Sequence, residues 1–262
     1  MRSRPPCEVR WLGRIDYEVA WRLQRSLVGQ RLEGAIPDTL LLLEHPPVYT
    51  YGRRGADGQF LAAPARLEAM GARVLAVDRG GGLTFHGPGQ LVGYPIMDLQ
   101  ALRLRSGEPW EPDLHRYLRG LEEVIIRTLA GYGIVGERWE GKTGVWVGGE
   151  KAAAIGVKVS RWVTSHGFAL NVDVELGWFR HIVACGISDR GVTSMERLLG
   201  RQVPLEEVAA AVARHFGGVF GRRMGMAKMG PAPAEAQRAE AAGAGGRNRT
   251  ADTAVFSRVL YP

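Results

Sequence analysis

Residues 78–90 read DRGGGLTFHGPGQ, and their composition points more directly to chemistry than that of any other segment. Three consecutive glycines tolerate positive φ and let the backbone approach a ligand closely. Their N–H groups can form a nest that binds an anion or a carbonyl oxygen. Arg79 adds a positive charge, and His86 adds a ring that can donate or accept a hydrogen bond. A flexible turn between two strands would explain the glycine run equally well, so both interpretations stay open on these residues alone.

The same segment is not a nucleotide-binding loop of either common type. A dinucleotide fingerprint needs a further glycine spacing that opens a helix, and a P-loop needs Gly-Lys-Ser/Thr after its glycines. Residues 78–90 contain neither pattern.

Two further residues, Cys185 and Lys151, could act together. Cys185 lies in an apolar stretch that is followed at once by polar residues 188–190. A cysteine among apolar neighbours is usually an inert thiol, but one at the edge of a loop becomes a nucleophile when its pKa is lowered. Lys151 is either a solvated lysine of a hairpin or a cation placed near a thiolate or carbonyl. The other cysteine, Cys7, lies in a polar N-terminal stretch and has no such setting.

Strand-like and helix-like segments alternate along the chain and must position these residues. Apolar residues at helical spacing predict a helix most clearly over residues 112–130, and Gly148-Gly149 predicts a hairpin turn with positive φ. The pattern indicates an α/β (α+β) fold: a single domain with a mixed, largely antiparallel sheet flanked by helices. Strands are predicted over 8–12, 39–44, 73–77, 90–96, 143–147, 152–159 and 165–171, and helices over 16–30, 63–70, 112–130 and 204–216.

Composition separates a folded body, residues 1–223, from a tail, residues 224–262. The tail is rich in Ala, Gly and Pro and lacks apolar periodicity, so we expect it to be disordered. Residues 221–262 hold seven basic and three acidic residues, which is more than half of the net charge of +7. The body is therefore only mildly basic, which does not indicate a nucleic-acid partner and would suit an acidic protein partner equally well.

The cysteine count and the lack of long apolar runs limit the functional classes to which the protein could belong. Two cysteines exclude a disulfide framework and a cysteine-rich zinc module. The first ten residues lack the apolar core of a secretion signal, and no apolar run approaches the roughly 20 residues that span a bilayer. We therefore expect a cytoplasmic protein that does not interact with membranes.

Taken in order, four segments closely resemble the signature of the lipoyl(octanoyl) transferases. They are residues 79–90, then 149–157 (GEKAAAIGV), 165–171 (SHGFALN) and 185–187 (CGI). The resemblance extends over about residues 8–220 and does not include the tail.

The resemblance implies an α/β fold shared with biotin and lipoate protein ligases. It also implies an enzyme that moves an octanoyl group from octanoyl-acyl carrier protein to a lysine of a lipoyl domain, the first step of making protein-bound lipoate. The acceptors would be the lipoyl domains of 2-oxoacid dehydrogenase complexes and the glycine cleavage H protein, and no cofactor or metal is implied.

The resemblance also assigns residues to roles. Cys185 would be the acyl-thioester nucleophile, and Lys151 would lower its pKa and assist proton transfer. The residues implied to line the acyl site are Arg79, Gly80, Gly81, Gly82, Leu83, Thr84, Phe85, His86, Ala154, Ile155, Gly156, Gly167, Phe168 and Ala169.

Two alternatives from other classes are an ATP-dependent lipoate protein ligase and a non-catalytic acyl-binding protein of the same fold. A ligase activates its acid as an adenylate and needs no nucleophilic cysteine, so Cys185, placed 34 residues after Lys151, favours the transferase. A non-catalytic protein would be expected to lose Cys185 or Lys151, and both are present.

Overall fold

The computed structural model describes residues 4–102, 112–183 and 191–226, and its strands form one large and one small sheet. The strands are β1 (Pro6–Arg14), β2 (Asp38–Glu44), β3 (Val48–Tyr51), β4 (Arg73–Ala76), β5 (Leu83–His86), β6 (Gln90–Ile96), β7 (Glu137–Trp139), β8 (Lys142–Val147), β9 (Glu150–Ser160), β10 (Val163–Asn171) and β11 (Arg223–Met226). The helices are α1 (Tyr17–Leu32), α2 (Pro64–Ala69), α3 (Leu114–Ala130), α4 (Met195–Leu199) and α5 (Leu205–Val219), with 3-10 turns at Leu99–Ala101 and Leu176–His181.

The large sheet is mixed, with strand order β11-β1-β2-β6-β10-β9-β8-β7. Strands β11, β1 and β2 run parallel, whereas every pairing from β2 through β6, β10, β9 and β8 to β7 is antiparallel. The small sheet has the order β4-β3-β5. The predicted α/β fold with a mixed, largely antiparallel sheet flanked by helices is therefore confirmed.

Both faces of the large sheet are covered, which explains the unbroken apolar run of β2. Side chains alternate across a strand, so Leu40 and Leu42 pack with α3 and α5, while Leu41 and Leu43 pack with α1. A strand that is buried on both faces needs apolar residues at every position.

Local sequence signals explain the ends of the main helices. The carboxylates of Asp16 and Asp113 accept hydrogen bonds from backbone N–H groups in the first turns of α1 and α3, as capping residues do. The predicted hairpin turn is also confirmed, since Gly148 and Gly149 have φ of 56° and 83° between β8 and β9.

Strand β11 (Arg223–Met226) spans the predicted boundary between body and tail and pairs with β1. Beside it, Arg222 Nε donates to Asp38 Oδ2 at 2.7 Å, and both side chains are almost completely buried. Residues 227–262, which make up most of the predicted tail, lie outside the described residues.

Cys7 is not in a polar setting, contrary to the sequence-based expectation. It lies on β1 between β11 and β2 and is 1% exposed. Burial raises the pKa of its thiol to about 12, so Cys7 stays protonated and unreactive near neutral pH.

Among the helices that the structure describes, none has the length and apolar character needed to cross a membrane.

A pair of truncations tests where the fold ends. A chain that ends at Met226 should keep the melting temperature of the full chain, because the composition of residues 227–262 predicts no core. A chain that ends at Gly221 loses β11 and Arg222, which pairs with Asp38, while Arg31 stays at 2.9 Å from Asp38. Loss of a buried hydrogen bond to a charged group costs about 1.5–3 kcal/mol. Thermal unfolding followed by circular dichroism measures both. A large loss in the first truncation would show that the tail packs on the domain, and no loss in the second would show that β11 and Arg222 do not stabilise it.

Candidate functional site

A pocket lies where the glycine-rich segment and β5 meet strands β9 and β10 of the large sheet. Pockets that bind small molecules are usually mostly apolar, with a few polar groups. Most of the residues implied by the resemblance line it: Arg79, Gly80, Gly81, Thr84, His86, Ala154, Ile155, Gly156, Gly167, Phe168 and Ala169. Tyr17 from α1, Tyr94 from β6 and His166 from β10 complete the lining.

Three of the implied residues do not line the pocket. Leu83 and Phe85 are fully buried in the small core beneath β3 and β5, where they pack with Tyr49. The reason is the alternation of side chains along β5, which directs Thr84 and His86 to the pocket and their neighbours away from it. Gly82 faces the side chain of Gln59, whose Oε1 would lie 2.7 Å from an added Cβ.

The glycine-rich segment packs closely against β9 and is not a solvent-exposed turn. Gly80 N donates to Val157 O at 2.9 Å, and a Cβ on Gly156 would lie 2.9 Å from Gly80 O. The Arg79 guanidinium is buried beside the pocket and donates to the backbone oxygen and hydroxyl of Thr50 at 2.7 and 2.9 Å. Glycine is therefore required at position 156 because two backbone segments approach there.

His86 begins a chain of buried side-chain hydrogen bonds. Its Nδ1 donates to Gln90 Oε1 at 2.7 Å, Gln90 Nε2 donates to Asn171 Oδ1 at 2.9 Å, and Asn171 Nδ2 donates to Thr193 O at 3.0 Å. Burial, followed by the neighbouring His45 and Arg79, lowers the pKa of His86 to about 3. The ring is therefore neutral near pH 7, and its Nε2 is an acceptor at the pocket wall.

His166 is held in an unusual backbone conformation. Its φ of 53° lies in the left-handed region, where a side chain other than glycine is uncommon. The backbone N–H donates to Gln24 Oε1 at 2.7 Å, and Nε2 donates to Asp78 Oδ1 at 2.8 Å. Burial lowers the pKa of His166 despite the nearby carboxylate. Such strain persists only where surrounding contacts enforce it, which often marks a functional site.

Asp78 anchors this side of the pocket. Besides His166, it accepts hydrogen bonds from Lys158 Nζ at 2.6 Å and Trp21 Nε1 at 3.2 Å. Partial burial opposes ionisation, but the hydrogen bonds from His166 and Lys158 outweigh it and hold the pKa of Asp78 well below its usual value. The carboxylate is therefore charged at any pH near neutrality.

The remaining wall includes the neutral aromatic side chains of Tyr17 and Tyr94, and His45 packs against both of them without lining the pocket itself. His45 Nδ1 donates to Ile15 O at 2.7 Å, so its Nε2 must accept the hydroxyl of Tyr94 at 2.8 Å. Burial lowers the pKa of His45 to about 4 and raises that of Tyr17 to about 12. Burial also raises the pKa of Tyr94. At neutral pH these groups offer hydrogen bonds without charge.

Lys151 lies on β9, three residues before Ala154, and does not itself line the pocket. Its side chain is 8% exposed. Its backbone N–H donates to Gly191 O and its backbone oxygen accepts from Thr193 N–H, both at 3.0 Å. Residues 191–193 therefore run parallel to the start of β9.

Cys185, the implied nucleophile, lies outside the described residues. The described chain stops at Val183, whose N–H donates to Gln59 O at 2.8 Å, and resumes at Gly191 against Lys151. Within the described ranges, no three His, Cys, Asp or Glu side chains are grouped in a way that could hold a metal ion.

Tyr17, Tyr94 and His166 line the pocket but were not predicted from the sequence. His166 lies within the family-like segment 165–171, and that position was the available signal. Tyr17 and Tyr94 carry no local signal, because they reach the pocket from α1 and β6 only after the chain has folded.

Comparison with solved structures supports the fold. A lipoate-protein ligase A bound with ATP matches with a TM-score of 0.69 and 13% identity over 91% of this chain and 92% of that chain. A putative lipoate protein ligase from T. acidophilum, with bound lipoic acid, matches with a TM-score of 0.68 and 13% identity over 91% and 94% of the two chains.

Sequence comparison identifies the family. Residues 16–217 match the family model of the lipoyl protein ligase A/B catalytic domain. The octanoyltransferase of Rubrobacter xylanophilus is 54% identical over 221 residues, which cover 83% of this chain and 96% of the relative. That of Chloroflexus aggregans is 53% identical over 215 residues, covering 81% and 94%. The chain therefore belongs to the lipoyl protein ligase A/B catalytic domain family and is an enzyme of its lipoyl(octanoyl) transferase branch.

Proposed function

We propose that the enzyme takes an octanoyl group from octanoyl-acyl carrier protein onto Cys185 and passes it to a lysine of a lipoyl domain. The acceptors are the lipoyl domains of 2-oxoacid dehydrogenase complexes and the glycine cleavage H protein. The observation that carries this proposal is the pair of backbone hydrogen bonds that joins Lys151 to Gly191 and Thr193. These bonds bring the chain that follows the Cys185 segment directly beside the lysine.

The pocket suits an uncharged acyl chain. Small and apolar residues of β9 and β10 form one wall, among them Ala154, Ile155 and Ala169. The histidines and tyrosines that line the pocket carry no charge near pH 7, so they do not demand an anionic ligand.

In the first half-reaction, the thiolate of Cys185 attacks the carbonyl carbon of the donor thioester. A new sulfur–carbon bond forms to Cys185, the donor's sulfur–carbon bond breaks, and the donor thiolate leaves and takes up the proton of the Lys151 ammonium, which leaves Lys151 neutral. A free thiol is only a few per cent ionised at pH 7, so a nearby ammonium group is needed to favour the thiolate. Lys151 supplies that charge.

In the second half-reaction, the amine of the target lysine attacks the thioester on Cys185. An amide bond forms, the sulfur–carbon bond to Cys185 breaks, and one proton must leave the attacking amine. Lys151, once neutral, is the base that accepts this proton. Thiolate leaving and proton transfer return the enzyme to its starting state.

The nucleophile is tested by intact-mass analysis after incubation with octanoyl-acyl carrier protein. The wild type should gain the mass of one octanoyl group, and Cys185→Ser should gain none and lose transfer. Cys7→Ala is the matched control, because Cys7 is buried with a thiol pKa of about 12 and should not react. Full transfer by Cys185→Ser would remove Cys185 from the mechanism.

The donor is tested by transfer without nucleotide. Octanoyl-acyl carrier protein should support full transfer to a purified lipoyl domain in the presence of a metal chelator and the absence of ATP, because a thioester is already activated. Free octanoate with ATP and magnesium should not replace it. A strict requirement for ATP would instead assign the ligase activity to this chain.

The role of Lys151 is tested with two substitutions. Lys151→Met removes a positive charge beside the thiolate. It should therefore raise the pKa of Cys185 and move iodoacetamide labelling to higher pH. The pKa shift is larger when water is excluded from the pair. Lys151→Arg keeps the charge but does not release its proton, so it should preserve labelling and slow transfer to the lipoyl domain. Cys7 does not interfere with the labelling, since it is buried.

These two variants separate the two roles of the lysine. Transfer at the native rate by Lys151→Arg would exclude Lys151 as the base. A labelling profile that Lys151→Met leaves unchanged would exclude its contact with Cys185 in the free enzyme.

A further inference from the structure

The ammonium group of Lys151 faces an aromatic ring. Trp146 lies directly opposite Lys151 in the β8–β9 pairing, and Lys151 Nζ is 5.1 Å from the centroid of its indole ring. Trp146 is itself 1% exposed and is braced by the edge of Trp139 at 5.3 Å. A cation within about 6 Å of an indole face is attracted by the ring quadrupole, more strongly when water is excluded.

The pairing of β8 and β9 is irregular beside this contact. The register of β8 and β9 shifts between Val145 and Trp146, as a β-bulge does when it redirects a side chain. Next to the shift, Gly144 has φ of 133°, and an added Cβ there would lie 2.8 Å from Lys151 Cε. A side chain at position 144 would therefore displace the lysine from the indole.

Glu122 of α3, which contacts the backbone of Gly144, is already engaged. Glu122 is fully buried and accepts a hydrogen bond from Gly144 N at 3.1 Å. Its other oxygen pairs with Arg119 at 2.6 Å and with Arg138 at 3.2 Å. Its charge is thus balanced by two arginines.

The neighbouring acidic group on β9 is engaged as well. Glu150 pairs with Arg197 of α4 at 3.3 Å. On β8, Lys142 Nζ lies over Trp139 at 5.7 Å and not over Trp146. Among the residues that the structure describes, no carboxylate forms an ion pair with Lys151.

We propose that Trp146 is a positioning residue, whose indole face holds the Lys151 ammonium in place of a carboxylate partner. The inference rests on the proposed role of Lys151. A carboxylate would compete with the Cys185 thiolate for the ammonium and would oppose the loss of the proton that leaves Lys151 neutral before the second half-reaction. An aromatic face orients the cation and carries no net charge, so both steps remain available to the same lysine.

The contact itself is tested by NMR on the full chain labelled with ¹³C-lysine. The chain has four lysines, Lys142, Lys151, Lys158 and Lys228, so each signal can be assigned with an arginine substitution. In the wild type the ε-methylene protons of Lys151 should be shifted upfield by the indole ring. The shift should shrink in Trp146→Phe and vanish in Trp146→Leu.

Trp139→Leu is the matched control, because it removes a neighbouring indole that faces a different lysine. It should move the signal of Lys142 and leave that of Lys151 in place. An unshifted Lys151 signal in the wild type, or an equal effect of both leucine variants on Lys151, would overturn the contact.

The functional consequence is tested by single-turnover transfer from the octanoylated enzyme to a lipoyl domain. Trp146→Leu should slow this step by about tenfold, with Trp146→Phe in between, as expected for loss of a buried cation–π contact. The KM for the lipoyl domain should change by less than about twofold, because the ring does not bind the acceptor. Labelling of Cys185 should move to higher pH, since a less ordered ammonium stabilises the thiolate less.

The outcomes separate this inference from the proposed function. Native transfer rates and native labelling profiles in both Trp146 variants would overturn the positioning role. If Trp146→Leu does not fold, Trp146→Phe decides by the same criteria. If the wild type forms no octanoyl thioester at all, the proposed function fails, while the NMR comparison still decides whether Trp146 holds the lysine.

Discussion

The pocket depends on one constraint: the polar side chains around it are buried, so each needs a hydrogen-bond partner inside the protein. Those partners come from distant parts of the chain. Asp78 ties His166 on β10 to Lys158 on β9, and His86 on β5 is tied through Gln90 and Asn171 to the backbone beside Lys151. A buried polar group that loses its partner costs about 1–3 kcal/mol, so the walls hold each other in place.

The same burial determines the charge of the site. Histidines that are removed from water stay neutral, and buried tyrosines keep their protons. Of the residues that the structure shows lining the pocket, Arg79 is the one with a permanent positive charge, and it donates to neutral oxygens of Gly80 and Thr50. Lys151 lies outside this wall against an indole ring. In the proposed function, these positive charges stabilise the thiolate and the carbonyl oxyanion, and the neutral groups of the pocket contact the acyl chain.

Most long elements could be predicted from the sequence because their signals are local. Apolar residues at helical spacing predict α3, and paired glycines predict the turn between β8 and β9. Short strands could not be predicted in this way. Strand β5 has four residues inside the glycine-rich segment, and β11 lacks an alternating pattern and exists because it pairs with β1, more than 200 residues earlier.

The sequence alone determined the chemical inventory of this protein: the family, the mixed sheet, the glycine-rich segment, Lys151 and Cys185. These follow from residue types and their spacing along the chain, which need no knowledge of distant contacts. Tertiary structure alone decided which of those residues face the pocket and what surrounds them. The alternation along β5 turned Leu83 and Phe85 inward, and the packing of α1 and β6 added Tyr17 and Tyr94. Strand β8 placed the indole of Trp146 against Lys151. Contacts of this kind join separate elements, so they form only when the strands pair in the folded protein.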